Sequence, residues 1–254
     1  MNKKLKNSYV RFLSGITFSC VFFVFANSVC LAEGDPKGSF MAAVGVDSVL
    51  GSYELGGGSI PLSNESNFTF ETKIFNTLGA AGASLGTGST PTEFSVGYNH
   101  KFIDDTLSIS GSLGVLNGAF MSSQNAGPAR FADSLDPELK VDYSDSMIEA
   151  SGTAMYFNAL RQTAAYNSRN TLIYFLNFGF KIVPNRFSLG LTTEHYRFFT
   201  SNLGGIEAGD WYGGYMKFRM QNGMSLRFAA GVDLANPNVT GEFYKIGIVV
   251  PFII

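Results

Sequence analysis

The sequence predicts an all-β protein built from antiparallel strands, and three features of the chain support this fold class. The 254 residues include 29 Gly, 24 Phe and 11 Tyr, while only 15% of them are charged. From Phe40 onward, segments of about ten residues alternate apolar and polar side chains, which is the period of a strand with one apolar face. Turn-forming pairs such as Pro184-Asn185 and Asn222-Gly223 separate these segments, and no segment sustains a helical period.

The first 32 residues are expected to be a cleaved secretory signal, which leaves residues 33–254 as one domain. Basic residues open the chain, and a short apolar run follows at 16–26, as in the first two regions of such a signal. This run is shorter than the roughly 20 residues that a membrane-spanning helix needs. Cleavage after Ala32 fits best. Both cysteines, Cys20 and Cys30, lie in the removed segment, so the exported domain is expected to have no disulfide.

The exported domain is expected to be mildly acidic. Removing residues 1–32 deletes four basic residues and no acidic one, which leaves 14 basic residues against 20 acidic residues and a formal charge of −6. Nothing in this balance indicates the basic face that a nucleic-acid partner requires.

The clearest strand is the segment 171–183, in which six apolar side chains from Leu172 to Ile182 occupy one face. Asn177, Gly179 and Lys181 lie on the other face, with Ile173 and Phe175 among them. The same division into an apolar and a polar face repeats along the chain. We predict ten strands: 40–50, 67–75, 93–102, 106–117, 147–160, 170–183, 186–199, 210–221, 224–234 and 242–254.

The polar faces of these strands identify the kind of β protein. They carry Gly, Ser, Thr and Asn with few charges, which suits the interior of a closed barrel better than a surface in water. The apolar faces are richer in Phe, Tyr, Leu and Met than two packed sheets need. The sequence therefore predicts a transmembrane antiparallel barrel whose apolar faces contact lipid.

The last thirteen residues, EFYKIGIVVPFII, add a resemblance to a known class. Apolar side chains occupy alternate positions from Tyr244 to Phe252, and the chain resembles the Gram-negative outer-membrane β-barrel proteins, whose final strand has this pattern. The resemblance implies a location in the cell outer membrane, contact with its lipids, and recognition of the last strand by the barrel-assembly machinery. The chain departs from the class at Ile254, where Phe is usual.

The number of strands depends on how the stretch 118–146 is interpreted. With ten strands, the 29-residue stretch 118–146 falls at the periplasmic end, where bacterial barrels have short turns. Either this stretch forms a plug or it contains a strand near ELKVDYS (138–144), with another near TLGAAGASL (77–85). Ten strands are preferred, and twelve are the alternative.

The inward faces of the last three predicted strands carry most of the candidate functional residues. Adjacent antiparallel strands could gather four cations there into a positively charged lumen wall that favours anions. Salt bridges that fill a narrow barrel are the competing interpretation. The four cations are Lys217, Arg219, Arg227 and Lys245, and the available counter-charges are Asp233 and Glu242.

No catalytic, cofactor or metal site is predicted. His195 neighbours Glu194, but consecutive strand residues point to opposite faces and cannot form a dyad. Ser201 lies in a loop, and Asp210 has no evident link to His195. The only other histidine, His100, is placed at the lipid headgroup level.

Two functions remain open from the sequence. The first is a porin-like channel for small solutes, with the inward cations setting selectivity. The second is a non-conducting surface barrel with a structural or adhesive role through its outer loops.

Overall fold

The chain folds into one closed ring of antiparallel strands. The computed structural model describes residues 38–47, 51–76, 91–103, 105–117, 132–160, 170–200, 204–235 and 241–253. The predicted signal segment 1–32 and the terminal Ile254 lie outside this range. Among the described residues no helix has the length and apolarity that crossing a membrane requires.

Twelve strands make up the ring, and each one pairs with its sequence neighbours. Their bounds are β1 Ser39–Asp47, β2 Gly51–Pro61, β3 Ser66–Asn76, β4 Thr92–Phe102, β5 Leu107–Asn117, β6 Ser134–Ser144, β7 Ile148–Ala159, β8 Asn170–Val183, β9 Phe187–Thr200, β10 Gly204–Arg219, β11 Ser225–Asp233 and β12 Glu242–Ile253.

The preferred count of ten strands was therefore wrong, and the alternative of twelve is confirmed. The structure contains every one of the ten predicted strands, with ends shifted by a few residues. One added strand, β6, covers the ELKVDYS segment that the alternative proposed. The other is β2, in a segment predicted as a loop, whereas 77–85 lies outside the described residues.

Pairing of the first strand with the last strand closes the ring. Phe40 faces Phe252 and Val44 faces Ile248 in an unbroken register that runs from Ser39 to Asp47. Every strand of the ring thus has a neighbour on both sides, and the backbone has no open sheet edge to satisfy. This explains how the chain can finish on an alternating apolar strand.

The connections differ in length between the two ends of the barrel. The segments 62–65, 103–106, 145–147, 184–186 and 220–224 lie at one end, which we name the short-turn end. The other end, named the outer end, carries the longer connections 77–91, 118–133, 160–169 and 234–241 together with the short segments 48–50 and 201–203. Twelve strands thus place the long connections on the side where bacterial barrels have them.

Two of the short turns contain a residue with a positive φ. The N–H of Arg186 donates to the Val183 carbonyl at 3.0 Å, and Asn185 has a positive φ of 58°. That is the geometry of a type II turn with proline at its second position. The N–H of Gly223 donates to the Met220 carbonyl at 3.0 Å, and its φ is 83°. Asn222 has no positive φ, so this turn is not of the primed kind that Asn-Gly pairs prefer in two-residue hairpins.

Large apolar side chains cover the outside of the barrel. They alternate with inward polar residues along each strand, so a belt of exposed hydrophobic groups surrounds the ring. This belt includes Val44, Phe94, Val96, Leu113, Leu139, Leu176, Phe178, Phe180, Leu191, Met216, Phe218, Val232 and Ile246. Such a surface is stable next to hydrocarbon and unstable in water.

Candidate functional site in the barrel lumen

Contacts between strands that are not neighbours show which side chains fill the lumen. The Nζ of Lys217 on β10 lies 2.9 Å from the Oε2 of Glu149 on β7. The Nζ of Lys73 on β3 lies 3.0 Å from the Oε2 of Glu138 on β6. Because three strand positions separate the partners in each pair, both contacts cross the interior of the ring. The lumen is therefore spanned by charged side chains.

The predicted cations gather on one side of the lumen, as the strand register requires. Lys217 and Arg227 are direct register partners on β10 and β11. Lys245 on β12 is the register partner of Ala229, which is two positions from Arg227 and therefore on the same face of β11. Lys181 on β8 extends this surface at the short-turn end. We name these five residues the basic wall: Lys181, Lys217, Arg219, Arg227 and Lys245.

Glu149 is the main counter-charge at the short-turn end of the basic wall. The hydroxyl of Tyr215 donates to its Oε1 at 3.0 Å, and the amino group of Lys217 donates to its Oε2 at 2.9 Å. The Nη2 of Arg219 lies 4.0 Å from the same Oε2. One carboxylate thus faces two cations and a phenol, which leaves an excess of positive charge at this end.

A small cavity lies beside this excess charge. It is lined by Lys181, Asn185, Arg186, Ser188, Lys217 and Arg219, and it is about large enough for one water molecule. The amino group of Lys181 also donates to the Ser144 hydroxyl at 2.8 Å and to the Asp145 carbonyl.

Arg227 holds the middle of the basic wall. Its guanidinium donates to the Oδ1 of Asn177 and lies 3.4 Å from the Oγ1 of Thr192. Its carbon Cζ lies 4.5 Å above the ring centre of Tyr215, as in a cation–π contact. The buried Nε has no hydrogen-bond partner among the described residues.

Lys245 is the part of the basic wall nearest the outer end. It forms an ion pair with Glu194 on β9, and its amino group lies 5.3 Å from the ring centre of Phe175. The counter-charges of the wall are therefore Glu149 and Glu194, which the sequence analysis did not assign.

Asp233 and Glu242, the predicted counter-charges, have other positions. The Oδ1 of Asp233 accepts hydrogen bonds from the N–H groups of Asp210 at 3.0 Å and Ala235 at 2.9 Å, so it fixes the outer end of β11. Glu242 is exposed at the start of β12. Neither residue has a described ion pair with the four predicted cations.

A cluster of opposite charge occupies the other side of the lumen. The Nζ of Lys73 lies 3.0 Å from Glu71, 3.1 Å from Glu93 and 3.0 Å from Glu138. We name these four residues the acidic cluster. Buried Asp136 lies close by on β6 and receives a hydrogen bond of 2.6 Å from Ser134. Burying several carboxylates around one ammonium is costly unless each of them is paired.

Apolar side chains fill the lumen at its outer end. Six of them are almost fully buried: Leu116, Phe157, Ile173, Tyr196, Trp211 and Phe243. We name them the outer layer. The buried Asp133 connects the strands around this layer, because its N–H donates to the Leu116 carbonyl at 2.7 Å and its carbonyl accepts from Leu160 at 3.0 Å.

Inward glycines make room for aromatic rings that lie flat on the lumen wall. A Cβ atom on Gly190 would come within 2.7 Å of the Tyr215 ring and 2.3 Å of the Phe178 carbonyl oxygen. Gly45 lies in the same relation to the ring of Tyr53. The glycines that the sequence shows on polar faces are therefore packing positions.

The two histidines lie on the outside of the barrel. His100 meets the Phe102 ring edge-on at 4.4 Å between centroids and shares a 2.9 Å hydrogen bond with Ser66. His195 points away from Glu194, as predicted. However, its Nδ1 lies 2.5 Å from the Oδ1 of Asp210, a pairing that depends on the register of β9 against β10.

No three His, Cys, Asp or Glu side chains within the described ranges are placed so that they could hold a metal ion.

The comparison with protein families gives a match along almost the whole chain. The model of the "Family of unknown function (DUF6733)" matches residues 3–252. The chain belongs to this family. No curated protein matches this sequence.

Solved structures that are similar to this chain include an outer membrane channel and two porins. An outer membrane channel from Pseudomonas putida F1 is 12% identical over 87% of this chain and 97% of its own, with a TM-score of 0.51. The KdgM porin is 12% identical over 84% of this chain and 99% of its own, with a TM-score of 0.49. The NanC porin is 13% identical over 82% of this chain and 98% of its own, with a TM-score of 0.47.

At this level of identity the match with the Pseudomonas putida channel concerns the fold. The closed ring and the apolar belt agree with that fold, and the protein is an outer-membrane β-barrel.

Proposed function

We propose that this protein is a narrow, porin-like channel for small anionic solutes. The observation that carries the proposal is the basic wall, in which five cations lie on one side of the lumen, with Glu149 and Glu194 as acidic partners. A lumen wall with an excess of one charge raises the local concentration of the opposite ion and lowers its barrier to entry.

The exposure of the wall supports a role in transport. The side chains of Lys217, Arg219 and Lys245 keep part of their surface accessible, and the small cavity lies directly beside the first two. Cations that served only to neutralise buried acids would be matched in number by those acids and shielded from water.

The acidic cluster on the opposite side supports the same function in a different way. Its three carboxylates exceed the single charge of Lys73, so the two sides of the lumen carry opposite net charge. A charged solute in a narrow lumen is drawn to one side by such a field. We expect anions to follow the basic wall along β8 to β12.

One observation favours a second function, a filled barrel that does not conduct. The outer layer is almost fully buried, and ion pairs such as Lys217–Glu149 cross the lumen below it. In this alternative the long connections at the outer end carry a structural or adhesive role.

Conductance of the refolded protein in planar bilayers separates the two functions. Under a potassium chloride gradient, the wild type is expected to show discrete channels whose reversal potential indicates a preference for chloride. The variants Arg219→Glu and Arg227→Glu are expected to shift this potential toward cation preference, because each replaces a cation of the basic wall with an anion.

Arg197→Glu is the matched control, since it makes the same charge change on β9 at an exposed, outward-facing position. It is expected to leave the reversal potential unchanged. Bilayers that remain silent at all voltages, with protein that is correctly folded, would support the filled barrel instead. Equal shifts in all three variants would show that the basic wall does not set selectivity.

A further inference from the structure

Three side chains on the outer surface of the barrel form a chain of close polar contacts. The Oγ1 of Thr193 lies 2.7 Å from the Nε2 of His195. The Nδ1 of the same ring lies 2.5 Å from the Oδ1 of Asp210 on the neighbouring strand. A hydroxyl, an imidazole and a carboxylate in this order have the arrangement of a nucleophile, its general base and the group that orients the base.

Strand geometry explains how these residues come together. Thr193 and His195 are two positions apart on β9, so both side chains point outward. His195 and Asp210 are direct register partners. A β-bulge between Glu207 and Gly209 adds an extra residue just before Asp210 and sets its position opposite the ring. Bulges commonly direct a side chain in this way.

Two tyrosines hold the imidazole in place from either side. The Tyr174 ring stacks on His195 with centroids 4.4 Å apart, and the Tyr212 ring meets it edge-on at 5.4 Å. His195 is 8% exposed as a result. The Nδ1 of His195 lies within ion-pair distance of the Oδ1 of Asp210, but no hydrogen bond of standard geometry reaches this oxygen from the described residues. Catalytic contacts often tighten only when substrate is bound.

The position of the three residues relative to the membrane indicates their substrate. On the outward face of β9, Leu189 and the 70% exposed Leu191 precede Thr193 in the apolar belt. The polar residues Thr193, His195 and Arg197 follow toward the outer end. Tyrosines mark the water–lipid boundary of a barrel, and Tyr174 and Tyr212 flank this site. The Thr193 hydroxyl therefore lies where acyl chains join the headgroups of the outer leaflet.

We propose that Thr193, His195 and Asp210 form a lipid-facing catalytic site that cleaves acyl esters of membrane lipids. The proposal is independent of conduction through the lumen, because the three residues are on the opposite face of the wall.

The reaction needs only water as co-reactant. The Thr193 oxygen attacks the ester carbonyl carbon while its proton passes to the Nε2 of His195, and the Asp210 carboxylate stabilises the resulting imidazolium. The carbon–oxygen bond to the lipid alcohol breaks, and the alcohol oxygen takes the proton from Nε2. Water, activated by the same imidazole, then attacks the acyl-threonine and releases a fatty acid and free Thr193.

The test uses the full-length barrel refolded in mixed micelles with a phosphatidylcholine that carries a fluorogenic acyl chain. Fatty acid release is measured for the wild type and four variants. Thr193→Val is expected to abolish release, and Thr193→Ser is expected to retain it, since serine keeps the nucleophile. His195→Ala and Asp210→Asn are each expected to lower the rate by about 100-fold or more.

Thr72→Val is the control, because Thr72 on β3 also faces outward but lies far from the site. It is expected to match the wild type, and every variant is first checked for the mobility shift of an intact barrel on unheated gels. A long-chain alkyl fluorophosphonate supplies a second readout, with mass spectrometry expected to find the adduct on Thr193.

The absence of release and of any adduct in correctly folded wild type would overturn the proposal. Release that persists in Thr193→Val would overturn it as well, since it would come from another site or a contaminating lipase.

Discussion

Replacing Lys73 with methionine is expected to be one of the most destabilising single changes in the barrel. Its ammonium lies within 3.1 Å of Glu71, Glu93 and Glu138. The side chain of Lys73 is 14% exposed and that of Glu93 is 3% exposed. Methionine preserves the shape and finds the sulfur of Met155 nearby, 4.0 Å from the present Nζ. The substitution therefore removes the charge with little change in volume.

The size of the effect follows from the geometry of the acidic cluster. An ion pair at 3 Å has a Coulomb energy of about 5 kcal/mol at an effective dielectric constant of 20. Desolvation of both partners offsets much of this energy, and removing one partner of a buried pair costs about 3–5 kcal/mol. We expect Lys73→Met to lower the free energy of unfolding by about 4 kcal/mol.

The matched control is Lys101→Met, which breaks an ion pair of similar length at the surface. The Nζ of Lys101 lies 3.1 Å from Asp105, but these side chains are 38% and 67% exposed. Solvent screens such a pair, so the expected loss is at most about 1 kcal/mol.

Urea unfolding of the refolded barrel in detergent micelles measures both changes. Fluorescence of Trp211 reports the transition, since it is the only tryptophan in the chain and is almost fully buried in the outer layer. Adding Glu93→Gln to Lys73→Met should restore part of the loss by removing one unpaired carboxylate. Equal losses for Lys73→Met and Lys101→Met would refute the buried acidic cluster.

Three further predictions concern packing, a turn and the intact barrel. Gly190→Ala should lower the free energy of unfolding by about 1–3 kcal/mol through overpacking. In contrast, the Cβ of Gly111→Ala would meet nothing within 4 Å, so this variant should raise the free energy of unfolding by about 0.5 kcal/mol. Equal effects of the two variants in the same urea assay would contradict the packing. The pKa of Asp145 is held below its ordinary value by the N–H groups of Ile148 and Met147 and by the hydroxyl of Tyr143. The stabilising contribution of Asp145 should therefore be present above about pH 4 and be lost as the pH falls further. Urea midpoints from pH 6 to pH 2 should therefore fall less steeply in Asp145→Ala than in the wild type, and parallel curves would rule this out. Unheated protein should migrate differently from boiled protein on denaturing gels, and identical mobility would argue against a detergent-resistant barrel.

The sequence predicts the architecture because the alternation of apolar and polar residues requires only the two-residue period of a strand, with lipid on one face and the lumen on the other. The prediction fails in strands whose residues do not show this alternation. Strand β2 contains the run Gly56–Gly57–Gly58, which has no apolar face to detect. Strand β6 carries Asp136, Glu138, Lys140 and Asp142 on its inward face. Read as a sequence, such a segment resembles a solvated acidic loop, because charge alone does not distinguish a polar lumen from water.

The candidate site shows the same limit more sharply. The alternation placed Lys217 and Arg227 on one face, and the register brings them together. Glu149, the counter-charge of Lys217, lies three strands away on β7, and its height in the barrel depends on every register between β7 and β10. A strand period does not contain that information. The pairing of His195 with Asp210 could have been found, since both lie in the hairpin of β9 and β10, but the bulge before Asp210 moves the register by one residue.

Disulfide closure of the ring tests the central claim most directly. The barrel has no cysteine between residues 38 and 253, and Val44 on β1 is the direct register partner of Ile248 on β12. Mild oxidation of the Val44→Cys, Ile248→Cys double variant should give an intramolecular cross-link, seen as a mobility change after boiling without reductant. The diagonal pair Val44→Cys, Val250→Cys should cross-link less. Free thiols or only intermolecular dimers in the first variant would contradict a closed twelve-stranded barrel.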